Sequence, residues 1–172
     1  PAQITELRGD LAEACRRAAA RAVGSRRRSH LLQEAIYRER LEQRLEAAAC
    51  LEAAAASHMD VQLPARAVPL LRHAHSLSRG QVEWTTDRIR ITASLADALT
   101  EAGEPAAALA ALAQVQIRPR LNPSFSGRIA LSTGLALAAR RDDTAAHHLG
   151  EALRCGTDAD DVPLQILGRI AL

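Results

Sequence analysis

The stretch Ile89–Val115, IRITASLADALTEAGEPAAALAALAQV, constrains the fold most, because it reads as two helices closed by one tight turn. Ile91, Leu95, Ala98, Leu99 and Ala102 recur at three- and four-residue steps, which places them on one helix face. Gly103 follows the last apolar step, where a left-handed C-terminal cap favours a residue without a side chain. Glu104 and Pro105 then open a second helix: proline suits a first turn, and a carboxylate suits the positive helix end. Ala108, Leu109, Leu112 and Val115 supply its apolar face. Ala96, Ala108 and Ala111 leave little bulk between the two helices, so they can approach closely as an antiparallel hairpin. One hairpin cannot bury both of its faces, so it needs like neighbours.

Composition agrees with thin helical layers. Hydrophobic residues make up 48% of the 172-residue chain, and most of them are alanine and leucine. Both favour helix, and few β-branched or aromatic residues are present to build a sheet. Lysine is absent, so every basic side chain except histidine is arginine. Coding bias accounts for this more simply than arginine chemistry. A net charge of +2 does not by itself imply direct nucleic-acid binding. Cys15, Cys50 and Cys155 are far apart and odd in number, which fits reduced, buried thiols and a cytoplasmic setting. No apolar run reaches membrane-spanning length, and no signal peptide is visible.

Taken in order, the chain predicts about eight helices. The first covers residues 3–23, with Ile4, Leu7, Leu11, Ala14, Ala18 and Ala22 on its apolar face. Ser29 can cap a long second helix running to about Ala56, with exposed four-apart pairs Glu34–Arg38 and Arg38–Glu42. Ser57-His58-Met59 resembles a cloning junction, against which stands an ordinary helix end. A third helix spans about Ala65–Ser78; Pro69 places its start near Arg66 or later. Arg79-Gly80 ends it, and the opening hairpin begins near Val82. A proline-broken link, Arg118–Pro123, leads to a sixth helix capped by Ser124. A seventh starts at Asp142-Asp143-Thr144 and closes at Cys155-Gly156. Pro163 opens an eighth. The domains expected are residues 1–58, a helical pair with a long second helix, and residues 59–172, a series of repeats that is cut short at its C-terminus.

ARAVPLLRHA from Ala65, AAALAALAQV from Ala106 and TAAHHLGEAL from Thr144 can be superposed at spacings of 41 and 38 residues. That sets Ala67, Ala108 and Ala146 at one small position, with Leu71 and Leu112 four residues on. Helical pairs repeating at this length imply an α-solenoid. The pattern resembles the tetratricopeptide family, best in LADALTEAGEPAAALAAL. There Leu95 and Ala96 stand at the leucine and small positions of the first helix, Leu99 at the aromatic one, Gly103 at the turn, and Ala108 and Leu112 in the second helix. Gly134 and Leu137 continue the pattern. With AVPLLRHAHSL, this wording is similar to the helical sensor region of large ATP-binding LuxR-type transcription regulators of actinobacteria. No GxxxxGK[ST] loop and no DNA-reading helix occurs in the sequence.

The resemblance implies that the first helices of the pairs supply a concave binding face. Arg88, Thr92, Asp97 and Arg128 are the binding candidates there. Arg16, Arg17, Arg21, Arg26, Arg27 and Arg28 form the sharpest charge cluster, with no acid between Ala14 and Gln33. They could meet phosphate or an acidic partner, or simply solvate a helix end. His73/His75 and His147/His148 lack the three- or four-residue spacing of helical metal ligands. Asp158, Asp160 and Asp161 lack the glycine and distal glutamate of a calcium loop. No nucleophile elbow and no cofactor motif is visible. The sequence therefore predicts a non-catalytic interaction or effector-sensing module of a larger bacterial regulator. Its partner would be a protein or peptide, another domain of the parent chain, or a small effector, with neither membrane nor direct nucleic-acid contact. The alternative is a self-associating scaffold, a homo-oligomer.

Overall fold

The structure, a computed structural model, describes residues 2–79, 86–115 and 122–172. Among them there are nine helices and no strand: α1 (Ala2–Arg21), α2 (Gly24–Arg40), α3 (Arg44–Met59), α4 (Pro64–Ser78), α5 (Thr86–Glu101), α6 (Pro105–Leu112), α7 (Pro123–Ala139), α8 (Ala145–Asp158) and α9 (Val162–Ala171). Among the described residues the fold is all-α, and within each unit antiparallel helix pairs stack in a solenoid-like manner. None of these helices is long and apolar enough to cross a membrane. By contacts the chain divides into two units, Pro1–Val82 and Glu83–Leu172. The expected start near Val82, the ending at Gly80 and most of the Arg118–Pro123 link lie outside the described residues.

The one long helix expected from Ser29 to Ala56 is two helices, and this split accounts for the ninth. Glu42 takes a left-handed φ of 61° between α2 and α3. Its N–H donates to the Glu39 carbonyl at 2.9 Å, and the next N–H, of Gln43, reaches back to the Arg38 carbonyl at 2.9 Å. This paired closure satisfies the last carbonyls of α2 and reverses the chain. The same closure recurs after α3 at Gln62, after α5 at Gly103, after α7 at Arg141 and after α8 at Asp160. Only the Gly103 turn carries the glycine that announces it. Ser29 accordingly lies inside α2, whose N-cap is Val23. Ser57 and His58 belong to the end of α3, where the His58 carbonyl accepts the Leu63 N–H at 2.9 Å.

In the first unit α1 packs on α2, α2 on α3, and α3 on α4. Ala19, Leu31 and Ala54 form a shared core, with Leu32, Ala53 and Leu70 against it. The face of α1 turned to α2 is not the one expected. Ala12 and Ala19 are buried, while Ile4, Leu7 and Leu11 are 56%, 58% and 37% exposed. Alanine lets the helix axes approach closely, and α2 is the only helix that packs on α1 among the described residues. Helix α4 begins at Pro64 rather than near Arg66, because Pro64 itself fills the first turn. Pro69 lies within the helix, and the Ala65 carbonyl it cannot serve belongs to an exposed residue that water reaches.

In the second unit α5, α7 and α9 lie side by side, with α6 and α8 packed behind them. Helix α5 buries most of its surface, including Ile89, Ile91, Leu95 and Leu99. Gly134 of α7 lets α8 come close: a Cβ there would stand 2.7 Å from Leu149 Cγ. Gly127 plays the same part beside Cys155 and Leu164. The small position of α8 is Ala145, which is buried, and not Ala146, which is exposed. Ala145 with Leu149 therefore corresponds to Ala67 with Leu71 and Ala108 with Leu112, one residue earlier than the superposition placed it. Asn122, not Ser124, caps α7: its side chain accepts the Ser124 N–H at 3.0 Å.

Candidate functional site

The second unit holds a groove of 530 Å³ between α5, α7 and α9. Its walls come from one stripe of each helix. Leu131 and Leu135 stand three and seven residues beyond Arg128 on α7, and Leu167, Ile170 and Ala171 share a face of α9. Leu131 is part of the core with Leu149, Ala152 and Leu164, which fixes the floor. Leu135, Leu167 and Ile170 are exposed.

Helix α5 supplies the polar end through Asp97, Thr100 and Glu101. The Arg128 guanidinium donates to Asp97 Oδ2, and Ser132 Oγ donates to Asp97 Oδ1 at 2.7 Å. Only 18% of the Asp97 side chain is exposed, against 39% of Arg128. Burial pushes the Asp97 carboxyl above its ordinary range, against the opposing pull of Arg128 and Ser132. Glu101 at the mouth is also raised, first by burial and then by the neighbouring Asp97 charge. A smaller hollow of 160 Å³ adjoins, sharing Arg128 and Leu167. Arg128 thus stands between the two, its Asp97 contact fixing it on one side.

Of the four candidate face residues, the fold brings Asp97 and Arg128 together. Thr92 is fully buried, and its hydroxyl donates to the Arg88 carbonyl of its own helix at 2.7 Å. Arg88 is half-buried one turn before it, and neither lines the groove. Thr100, Glu101, Leu131, Ile170 and Ala171 line the groove without having been singled out in the sequence, nor was Ser132, which holds Asp97 from beside it. The Arg128, Leu131 and Leu135 spacing was the available signal for the α7 stripe.

Set against protein-family models, curated proteins and solved structures, the chain has no match in any of the three comparisons. The stacked antiparallel pairs are consistent with a tetratricopeptide-like repeat.

The arginine cluster lies in the first unit, at the junction of α1 and α2. Arg16 donates to Glu13 at 2.8 Å, and Arg17 stands 4.0 Å from the same carboxylate. Arg28 donates to the Ser57 carbonyl at 3.3 Å, tying α2 to the end of α3. Arg21, Arg26 and Arg27 are exposed. Arg38 does not pair with Glu42, which has left the helix; it meets buried Glu34 at 3.4 Å and donates to Gln43 Oε1 at 2.8 Å. His73 meets Glu39 at 3.3 Å, and the rings of His147 and His148 meet edge-on. Among the described residues no group of three or more His, Cys, Asp or Glu is placed to hold a metal ion.

Proposed function

We propose that the chain is a non-catalytic interaction module whose working surface is the α5–α7–α9 groove. One observation carries this reading. Three parallel stripes bring exposed Leu135, Leu167 and Ile170 beside a polar end whose Asp97 is already fixed by Arg128 and Ser132. Exposed apolar side chains gathered in one concave site bind a complementary apolar surface, while a fixed polar end gives orientation. The module serves an intracellular parent regulator of the ATP-binding LuxR type, either sensing an effector or holding another domain. Support for the parent is the wording of AVPLLRHAHSL and LADALTEAGEPAAALAAL, together with the repeated pairs.

The groove is tested by amide chemical-shift mapping with a panel of amphipathic helical peptides. Binding peptides should shift residues of α5, α7 and α9, and Leu135→Arg should abolish those shifts without changing the helical content. Shifts elsewhere, or shifts that persist in Leu135→Arg, contradict the assignment. The parent is tested by the gene around this segment, which should encode a GxxxxGK[ST] loop before it and a helix-turn-helix after it.

A further inference from the structure

Two apolar surfaces lack a neighbour among the described residues, one in each unit. On α1, Ile4, Leu7 and Leu11 are exposed. Their spacing of three and then four residues is the one by which a helix anchors in an apolar groove. In the second unit, the groove stripe from Arg128 to Leu135 spans two helical turns, about 10 Å. The α1 anchors span the same seven residues. Ile170 is 77% exposed, so a small molecule there would stay largely uncovered, whereas a helix laid across the groove would cover it.

Charge matches as well. Residues 1–82 carry thirteen arginines and nine carboxylates, and residues 83–172 carry nine and eleven. Arg8 adjoins the α1 stripe, four residues after Ile4 and three before Leu11. Glu101 at the groove mouth has no cation partner among the described residues.

We propose that α1 of one copy of this chain seats Ile4, Leu7 and Leu11 in the α5–α7–α9 groove of a second copy, with Arg8 facing Glu101. This rests on the groove being the binding surface, as read above, and names its occupant. Stripe and groove are different surfaces, so the contact is head-to-tail and runs on to rings or open chains instead of stopping at a symmetric dimer. With three apolar anchors, the interface is small and the association weak.

The test is sedimentation velocity on the full chain at concentrations up to about 200 µM, a range set by the small interface. The mass of the unsubstituted chain should rise with concentration. Leu7→Asp and Ile170→Asp change exposed side chains, so both should keep the helical circular dichroism and both should be monomeric alone. Mixed in equal amounts they should form a one-to-one dimer and nothing larger, because one intact stripe meets one intact groove. Glu101→Arg should weaken association, and adding Arg8→Glu should restore it. A strict monomer overturns the proposal, as does association that survives Ile170→Asp or a mixture that stays monomeric. A monomer whose groove still binds peptides in the shift mapping overturns only this occupant and leaves the groove reading standing.

Discussion

Arg128 of α7 donates to Asp97 of α5 across a sequence separation of 31 residues, and the contact ties two successive helix pairs at the groove's polar end. Replacing Arg128 with alanine leaves a mostly buried carboxylate with Ser132 as its remaining partner. Because Arg128 is partly exposed, the expected loss at neutral pH is modest, about 1–2 kcal/mol. The folded Asp97 carboxyl is raised, so it binds its proton more tightly than the unfolded one, and that contribution favours folding at low pH. It is lost as pH rises through the folded pKa. The deficit of Arg128→Ala in urea denaturation should therefore shrink as the pH is lowered from neutral. A deficit that is constant or grows on acidification would show that Asp97 is not the group left uncompensated.

The five left-handed turns give a second expectation. Arg141 holds φ at 58° and Glu42 at 61°, a region that costs an L-residue roughly 1–2 kcal/mol. Arg141→Gly and Glu42→Gly should each raise the stability by up to about 1 kcal/mol, after the greater freedom of glycine in the unfolded chain is counted. Gly103→Ala should lower it by about the same amount, since Gly103 sits at φ 83°. Thermal or urea midpoints of the three variants provide the check.

These turns also show what was legible in the sequence. The hairpin around Gly103 could be read because its turn residue is the one such turns favour. The turn at Glu42 was hidden, since a glutamate amid Leu41, Gln43 and Arg44 looks like the middle of an exposed helix. Ala145 and Ala146 are chemically identical neighbours, so composition could not say which faces α7; the seating of Leu149 on Gly134 decides it. On α1 the expected apolar face is not the buried one: its larger side chains face out, because the contact with α2 selects Ala12 and Ala19. Asp97 and Arg128 were reached through the repeat. Ser132 and the α9 wall are long-range contacts, and no local pattern encodes them.

Cys50 offers a pH test. Burial, followed by the neighbouring Glu34 carboxylate and its hydrogen bond, pushes the Cys50 thiol from 9.0 up to about 12. The unfolded thiol ionises first on raising pH, so folding loses about 1.4 kcal/mol per pH unit once pH passes 9. Below pH 9 this group has no effect on the slope. Cys50→Ala should show a shallower alkaline loss of stability than the unsubstituted chain when urea midpoints are followed from pH 8 to pH 10.5. Parallel curves would remove Cys50 as the cause.

The close fit of the two helices within a pair, on which the stacking of pairs is built, is measured most directly at Gly134 of α7 and Leu149 of α8. Gly134→Ala places a Cβ 2.7 Å from Leu149 Cγ, an overpacking that should cost about 1–3 kcal/mol. Leu149→Ala alone should cost about 2–5 kcal/mol from the emptied core. With α8 seated on α7 in this register, the pair of substitutions should cost at least about 1 kcal/mol less than the two singles together, because removing Leu149 makes room for the new methyl. Costs that add to within about 0.5 kcal/mol would mean that the two residues do not meet, and would contradict the stacked, small-faced pairs on which the groove depends.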